Sequence, residues 1–184
     1  MSQLESAGVV LYYQENDTFK VIFGVQNPEK RKDRKNETVL DWIGGKVDGL
    51  ESFEQTASRE LYEESRKFFS ITPEEMAKFR NFSFVNPVSN KGIALYFKEI
   101  DLAVAKEYIN YYPDLVAGEN GTEHLAMTSV SAIDLLKALD QVTSEGLCKK
   151  KQYVTIGNVE LRFFSAILMI RDEFKQNLRE IIKK

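Results

Sequence analysis

In the stretch WIGGKVDGLESFEQTASRELYEESRKFF, residues 42–69, paired glycines precede Asp48, Glu51, Glu54, Glu60, Glu63 and Glu64, on a segment that must also bury Phe53, Leu61 and Phe68. On a helical wheel with Phe53 at zero, Ala57, Phe68 and Leu61 fall at about +40°, +60° and +80° and define the buried stripe. Glu64 lands at about +20°, Glu60 at about −20° and Glu63 at about −80°, on the flank. Glu60 and Glu64 therefore share the edge of the apolar stripe. Carboxylates gathered this closely, and partly out of water, repel one another and have raised pKa values unless something compensates. Arg59 is one remedy. A divalent cation is the other, and a ligand set made only of oxygen selects Mg2+ or Mn2+ over zinc. Gly44 and Gly45, at a strand end, allow unusual backbone angles and close approach, so a free carbonyl there can join the ligands. Magnesium held by few carboxylates completes its shell with water and substrate phosphate, which points to metal-assisted attack of water on a phosphate. The plainer alternative is a solvated acidic helix face, with Glu63 and Lys67 paired four residues apart. The inward phase of Glu60 and Glu64 speaks against it; spacing alone leaves both open.

The elements that position these residues are legible from pattern and punctuation. SAGVVLYY (6–13) and FKVIFGVQ (19–26) are rich in β-branched and aromatic residues, and ENDT between them makes the pair a hairpin. NPEKRKDRKNE (27–37) is a charged loop, and TVLDWI (38–43) a short strand running into Gly44-Gly45. Ser52 and Gln55 form a reciprocal cap and open a helix from about Phe53 to Phe69. Thr72 and Pro73 repeat the start signal. FSFVNPV (82–88) and GIALYFKEI (92–100) read as paired strands, DLAVAKEYINYY (101–112) as a short helix and HLAMTSV (124–130) as a strand. Ser131 and Asp134 cap a helix over AIDLLKALDQV. A second hairpin turns at Gly157-Asn158 within 153–163. The last helix, about 164 to 183, has Ile167, Ile170, Phe174, Leu178 and Ile181 on one face. Strands interleaved with helices indicate an α/β or α+β layered domain.

Without repeats or a linker-like segment, the 184 residues are expected to form a single domain, 1–184, large enough for a substantial core. Hydrophobic content of 43% and charged content of 29% exclude disordered and fibrous classes. The net charge of −3 argues neither for nor against bulk nucleic-acid binding. A lone cysteine, Cys148, excludes an intramolecular disulfide, and a lone histidine, His124, excludes a His-rich metal site. The N-terminal region lacks a signal-peptide pattern, and the longest apolar run, FFSAILMI (163–170), is too short to span a bilayer. The expectation is a cytoplasmic protein without membrane association.

The chain from Gly45 onward resembles the signature of the Nudix hydrolase family. Gly45 is followed after five residues by Glu51, then after seven residues by Arg59-Glu60-Leu61-Tyr62-Glu63-Glu64, matching that signature at every position and in both gap lengths. It departs at Arg66, where the family has a glycine that helps end the helix, and at Lys67, where it has an aliphatic residue. The resemblance implies an α/β fold, the Nudix-like α/β/α sandwich with mixed β-sheet. It implies a divalent-metal-dependent pyrophosphohydrolase cleaving a nucleoside diphosphate linked to another moiety: a nucleotide sugar, ADP-ribose, a dinucleoside polyphosphate or an NTP. Glu60, Glu63 and Glu64 would hold Mg2+ or Mn2+, with Glu60 also polarising the attacking water and the Gly44 carbonyl as a further ligand. Glu51 and Arg59 would form a supporting ion pair. A later acidic residue would serve as ligand or general base, Glu123 first and Glu119 second, unless these are exposed loop carboxylates. With Arg66 in place of the glycine, the helix is expected to run a turn further, to Phe68 or Phe69.

The substrate's second moiety is set outside this motif. Lys30, Arg31, Lys32, Arg34 and Lys35 crowd one loop, which would grip a phosphate-rich substrate if it borders the site and is otherwise a solvated loop. That loop motivates a runner-up activity on inositol pyrophosphates or on RNA ends, nucleic acid entering only as a capped or 5′-phosphorylated terminus. CKKKQY (148–153) carries the same ambiguity. Arg31, Arg34, Lys46 and Trp42 are the candidates for substrate binding, with Trp42 stacking on a base or packing in the core. Tyr12, Tyr13, Phe23 and Tyr96 read as core, and His124 as a structural or surface residue. A non-catalytic nucleotide sensor of the same fold is the rival from another class. A monomer and a homodimer through the apolar C-terminal helix are both open.

Overall fold

The computed structural model describes residues 4–32, 36–86, 90–141, 151–164 and 171–183. β1 (Leu4–Glu15) turns through Asn16 and Asp17, both at positive φ, into β2 (Thr18–Gln26), with Glu15 paired to Thr18. Asn and Asp tolerate the left-handed region better than other side chains, which suits a two-residue hairpin turn. There follow a 3-10 turn at Pro28–Lys30, β3 (Val39–Asp41), β4 (Ile43–Lys46), α1 (Phe53–Glu64), α2 (Pro73–Met76), β5 (Arg80–Asn86), β6 (Lys91–Glu99) and α3 (Leu102–Val116). β7 (His124–Ser131), α4 (Ala132–Asp140), β8 (Lys151–Ile156), β9 (Val159–Phe164) and α5 (Arg171–Ile182) complete the described elements.

The strands form one mixed sheet in the order β5-β6-β1-β2-β3-β9-β8, with β4 also paired to β1 and β7 to β2. β1 runs parallel to β6 and antiparallel to β2 and β4, and β3 runs parallel to β9. Because side chains alternate along a strand, the continuous apolar run of β1 serves two cores. Ala7, Val9, Leu11 and Tyr13 point to one face, where Ala57 and Leu61 of α1 and Ala105, Tyr108 and Tyr112 of α3 cover them. Val10 and Tyr12 point to the other, under Leu135 and Leu139 of α4 and Phe174, Leu178 and Ile181 of α5. The architecture is therefore an α/β/α sandwich around a mixed sheet.

Three elements differ from the sequence expectation. The 38–43 strand is two strands: β3 pairs with β2 and β9, β4 crosses to β1, and the break at Trp42 is held by the Asp41 carboxylate, which accepts the Trp42 N–H at 2.9 Å. α3 runs on past Pro113 to Val116. α1 stops at Glu64 instead of running to Phe68 or Phe69. Its end is a Schellman arrangement, in which the Lys67 N–H donates to the Tyr62 carbonyl at 2.8 Å and the Arg66 N–H to the Glu63 carbonyl at 3.1 Å. Arg66 and Lys67 both adopt positive φ, 56° and 66°. The bonds that close the helix thus form without the usual glycine, at a backbone cost of about 1–2 kcal/mol per left-handed side-chain-bearing residue. Arg34 and its neighbours 33 and 35, the expected strand end at 87–88, the basic residues 148–150 with Cys148, and 165–170 of the last helix lie outside the described residues. Among the described residues no helix is long and apolar enough to cross a membrane.

Candidate active site

α1 begins where the wheel places it. Ser52 Oγ accepts the Gln55 N–H and Gln55 Oε1 accepts the Ser52 N–H, so the capping box is complete. The helix lies against β1 and β4, and its acidic edge faces the β4 backbone. There, Glu64 Oε2 accepts the Gly44 N–H at 2.7 Å. A Cβ at Gly44 would meet Gly8 Cα at 2.5 Å and the Ala7 carbonyl at 2.6 Å, so only glycine allows β4 to approach β1 here. A Cβ at Gly45 would lie 2.3 to 2.6 Å from the Glu60 carboxylate. The second glycine therefore leaves the space that the Glu60 carboxylate occupies.

Arg59 ties this edge together. Its Nε and Nη2 donate to the two carboxylate oxygens of Glu51 at 2.9 and 3.0 Å, and Nη1 donates to Glu60 at 2.7 Å and to Glu63 at 3.4 Å. Nη2 also donates to the Lys46 carbonyl, which fastens the helix to the end of β4. The guanidinium fork holds the Glu51 carboxyl far down, at about 2, aided by the Asp48 N–H and the Thr56 hydroxyl. Glu60 goes the other way: desolvation raises its pKa against the pull of Arg59, and Glu63 and Glu123 push it up further. Glu64 is raised well above the ordinary carboxylate value, first by desolvation and then by the nearby charges of Glu123 and Glu60, with only the Gly44 N–H opposing. Glu63 is the open member of the set, its side chain 57% exposed against 14% for Glu60.

Glu123 reaches the cluster from the residue before β7, close enough to raise the pKa of both Glu60 and Glu64. Its carbonyl accepts the Asn27 N–H at 2.7 Å and the Asn27 side chain donates to the Thr122 carbonyl, so the start of β7 is pinned to the end of β2. Glu119, the second candidate, does not join the carboxylates but pairs with Arg66 at 3.1 Å.

These residues line one cavity of about 920 Å3, whose wall includes Gly44, Gly45, Lys46, Glu60, Glu63, Glu64 and Glu123. Its lining also includes Gln26, Asp41, Trp42, His124 and Arg162. Gln26 and Arg162 both donate to Asp41 Oδ2, at 3.2 and 3.4 Å. His124 is 2% exposed and lies flat on Gly24, where a Cβ would enter its ring. Burial lowers its pKa to about 4, so it is neutral at physiological pH. His124 Nδ1 and Gln26 Oε1 are buried without a hydrogen-bond partner among the described residues.

The sequence candidates for substrate binding separate here. Lys46 lines the cavity, and so does Lys30 of the basic loop. Arg31 does not: it is 5% exposed and its Nη2 donates to the Glu37 carbonyl, because it staples its own loop. Trp42 contributes to the wall but is a core residue, held edge-on by Phe23 and Phe174 with ring centroids 5.1 Å away. Gln26, Asp41, Arg162 and Tyr112 were not singled out by spacing. Polar or charged residues inside otherwise apolar strands were the available signal for Gln26, Asp41 and Arg162; Tyr112, whose hydroxyl donates to the Glu64 carbonyl at 2.9 Å, carried none.

Whether a divalent cation suits these residues is a question of donors and charge. The donors are all carboxylate or backbone oxygen, which fits Mg2+ or Mn2+. Two of the carboxylates are desolvated, mutually repelling and incompletely compensated by Arg59 and the Gly44 N–H, which is the electrostatic setting a cation relieves. Among the described residues no three acidic, His or Cys side chains already converge on one point. The chemistry of the donor set fits such a cation.

No protein-family model matches the sequence, and no curated protein is similar to it in sequence. Solved structures are similar in fold. A mutT/nudix family protein from Listeria innocua aligns with a TM-score of 0.52 at 14% identity, covering 100% of this chain and 99% of that one. A C. elegans Ap4A hydrolase aligns at 0.40 and 15% identity, over 73% of this chain and 85% of that one. The NUDIX domain of Shewanella oneidensis NrtR, complexed with ADP ribose, aligns at 0.42 and 14% identity, over 74% and 78%. The Listeria structure carries the assignment, because it matches end to end: this chain has the Nudix fold.

Proposed function

We propose that the protein is a divalent-metal-dependent pyrophosphohydrolase that cleaves the diphosphate of a nucleoside diphosphate linked to another moiety. The observation that carries this reading is the pairing of Glu60 and Glu64: two carboxylates kept out of water beside Gly44 and Gly45, in a cavity large enough for a nucleotide.

Glu60, Glu63 and Glu64 would hold Mg2+ or Mn2+, with the Gly44 carbonyl and Glu123 within the same wall. The cation, when bound, neutralises phosphate charge and acidifies a water. The chain's own residues do the rest. Arg59 holds Glu60 Oε1 and leaves its other oxygen to take a proton from water as the water oxygen bonds to phosphorus. The anhydride P–O bond on the opposite side breaks, and the departing phosphate carries away its bonding pair. Glu51 keeps Arg59 from collapsing fully onto Glu60, since two of the guanidinium nitrogens are already engaged by its carboxylate. Lys30 and Lys46 supply positive charge along the wall for the non-bridging oxygens.

The test is release of phosphate or nucleoside monophosphate from ADP-ribose, NADH, dinucleoside polyphosphates, nucleoside triphosphates, nucleotide sugars and a 5′-triphosphate RNA, with Mg2+ and with Mn2+. Wild type should turn over at least one class, and Glu64→Gln should lose roughly 100-fold or more in kcat. Equal turnover by Glu64→Gln would sink the assignment. Tight nucleotide binding without turnover under either cation would move the protein to the sensor class.

A further inference from the structure

Arg66 occupies a backbone position that disfavours it. With φ at 56° it closes the end of α1 in the left-handed region, and Lys67 follows at 66°. Glycine would satisfy the same two hydrogen bonds without a Cβ in the way. The side chain is aimed at the cavity: Arg66 lines it together with Glu60, Glu63 and Glu64, and only 29% of the side chain is exposed. One nitrogen, Nη2, meets Glu119 at 3.1 Å, and that carboxylate is itself 49% exposed. Nε is buried with no hydrogen-bond partner among the described residues. The guanidinium also hydrogen-bonds Tyr112, lowering its pKa against the larger effect of burial, and it lowers that of His124 in line with burial, so it reaches the inner wall of the cavity. A planar cation with a buried unpartnered Nε, whose charged partner among the described residues is a half-exposed surface carboxylate, is poised for exchange. The ligand that matches its fork is a phosphate.

We propose that Arg66 is a substrate-binding residue: its guanidinium leaves Glu119 and takes a non-bridging phosphate oxygen of the diphosphate, in the cavity it lines with the carboxylates that would hold the cation. This rests on the hydrolase reading for the nature of the substrate. It assigns a role to the residue by which the chain departs from the family's signature, and it accounts for an arginine being kept where glycine fits the backbone better.

The experiment compares wild type with Arg66→Gly, Arg66→Gln and Glu119→Gln on whichever substrate of the panel is turned over. Arg66→Gly should raise KM roughly 10-fold, the loss of one charge-assisted hydrogen bond, and leave kcat within about threefold, while its Tm holds or rises as the backbone relaxes. Arg66→Gln keeps the strained backbone without the charge and should raise KM equally. Glu119→Gln releases the guanidinium and should leave KM unchanged or lower. A KM for both Arg66 variants within twofold of wild type would overturn the proposal and leave Arg66 as a structural tie to α3. If wild type turns over nothing, the hydrolase reading fails by that result alone. The arginine is then judged by calorimetric titration with inorganic pyrophosphate: weaker binding by both Arg66 variants supports it, and equal binding overturns it.

Discussion

Glu60 and Glu64 differ from the other acidic residues of α1 in what surrounds them, not in their chemistry. Both sit where the helix meets β4, and both have raised pKa values because burial withholds water from the charged form. Gly45 is the residue that makes room. Gly45→Ala would place a methyl 2.3 to 2.6 Å from the Glu60 carboxylate, which must move aside. The displaced atoms are the end of a flexible side chain, so stability should change little. A misplacement of about 1 Å nevertheless costs on the order of 100-fold in rate. Steady-state kinetics beside a melting curve will show the two effects apart. The proposed cation binding makes a second prediction at this scale. Mg2+ at about 100 times its Kd should stabilise wild type by about 2.7 kcal/mol, and the shift should vanish in Glu64→Gln, as differential scanning calorimetry would record.

At the scale of elements, α1 and β4 work as one unit. Arg59 joins them by donating to Glu51 and Glu60 on the helix side and to the Lys46 carbonyl on the strand side. Because the folded Glu51 carboxyl lies at about 2, below its ordinary 4.5, the pair stabilises the fold fully above pH 4.5 and loses that contribution as pH falls toward 2. Glu51→Gln should lower Tm at neutral pH and flatten the acid limb of the Tm profile between those two values; an unchanged limb would show that Arg59 is held by other partners. β4 depends equally on its contact with β1. Gly44→Ala drives a Cβ into Gly8 Cα and the Ala7 carbonyl, both backbone, so the strands must part. A loss of about 1–3 kcal/mol is expected, read by urea denaturation, together with lost activity because the Gly44 N–H no longer holds Glu64.

Over the whole molecule, the two faces of the sheet divide the labour. The α1 and α3 face carries the clustered carboxylates, and the α4 and α5 face supplies an aromatic core that fixes the sheet from behind. Phe174 on α5 is fully buried among Trp42, Phe82 and Phe97, with ring centroids 5.1, 6.5 and 5.7 Å away. Phe174→Ala should cost about 3–5 kcal/mol. Trp42 is the only tryptophan, so its fluorescence should report the change directly: a shift toward the emission of a hydrated indole, and a lower urea midpoint. Trp42 also stands on the cavity wall, so loss of its support should weaken substrate binding from the opposite side of the sheet.

Local pattern determined most of the elements and the chemical core of the site. The capping pair Ser52 and Gln55, the phase of Glu60 and Glu64 and the hairpin of β1 and β2 are properties of neighbours along the chain, and the structure realises each of them. What local pattern could not determine depended on contacts between distant segments. The end of α1 was one such case: propensity favours continuing through Arg66 and Lys67, whereas the chain closes on Tyr62 and Glu63 and the Tyr112 hydroxyl of α3 donates to the freed Glu64 carbonyl. The fate of the basic loop was another, since only the fold distinguishes Lys30 on the cavity wall from Arg31 stapled to Glu37. The placement of Glu123 near the carboxylates and of Glu119 on Arg66 was a third, with Asn27 pinning the start of β7 from a place far away in sequence. Spacing specifies which residues share a face; only the packed sheet specifies what that face meets, because burial, pairing and pKa belong to the surroundings and not to the residue.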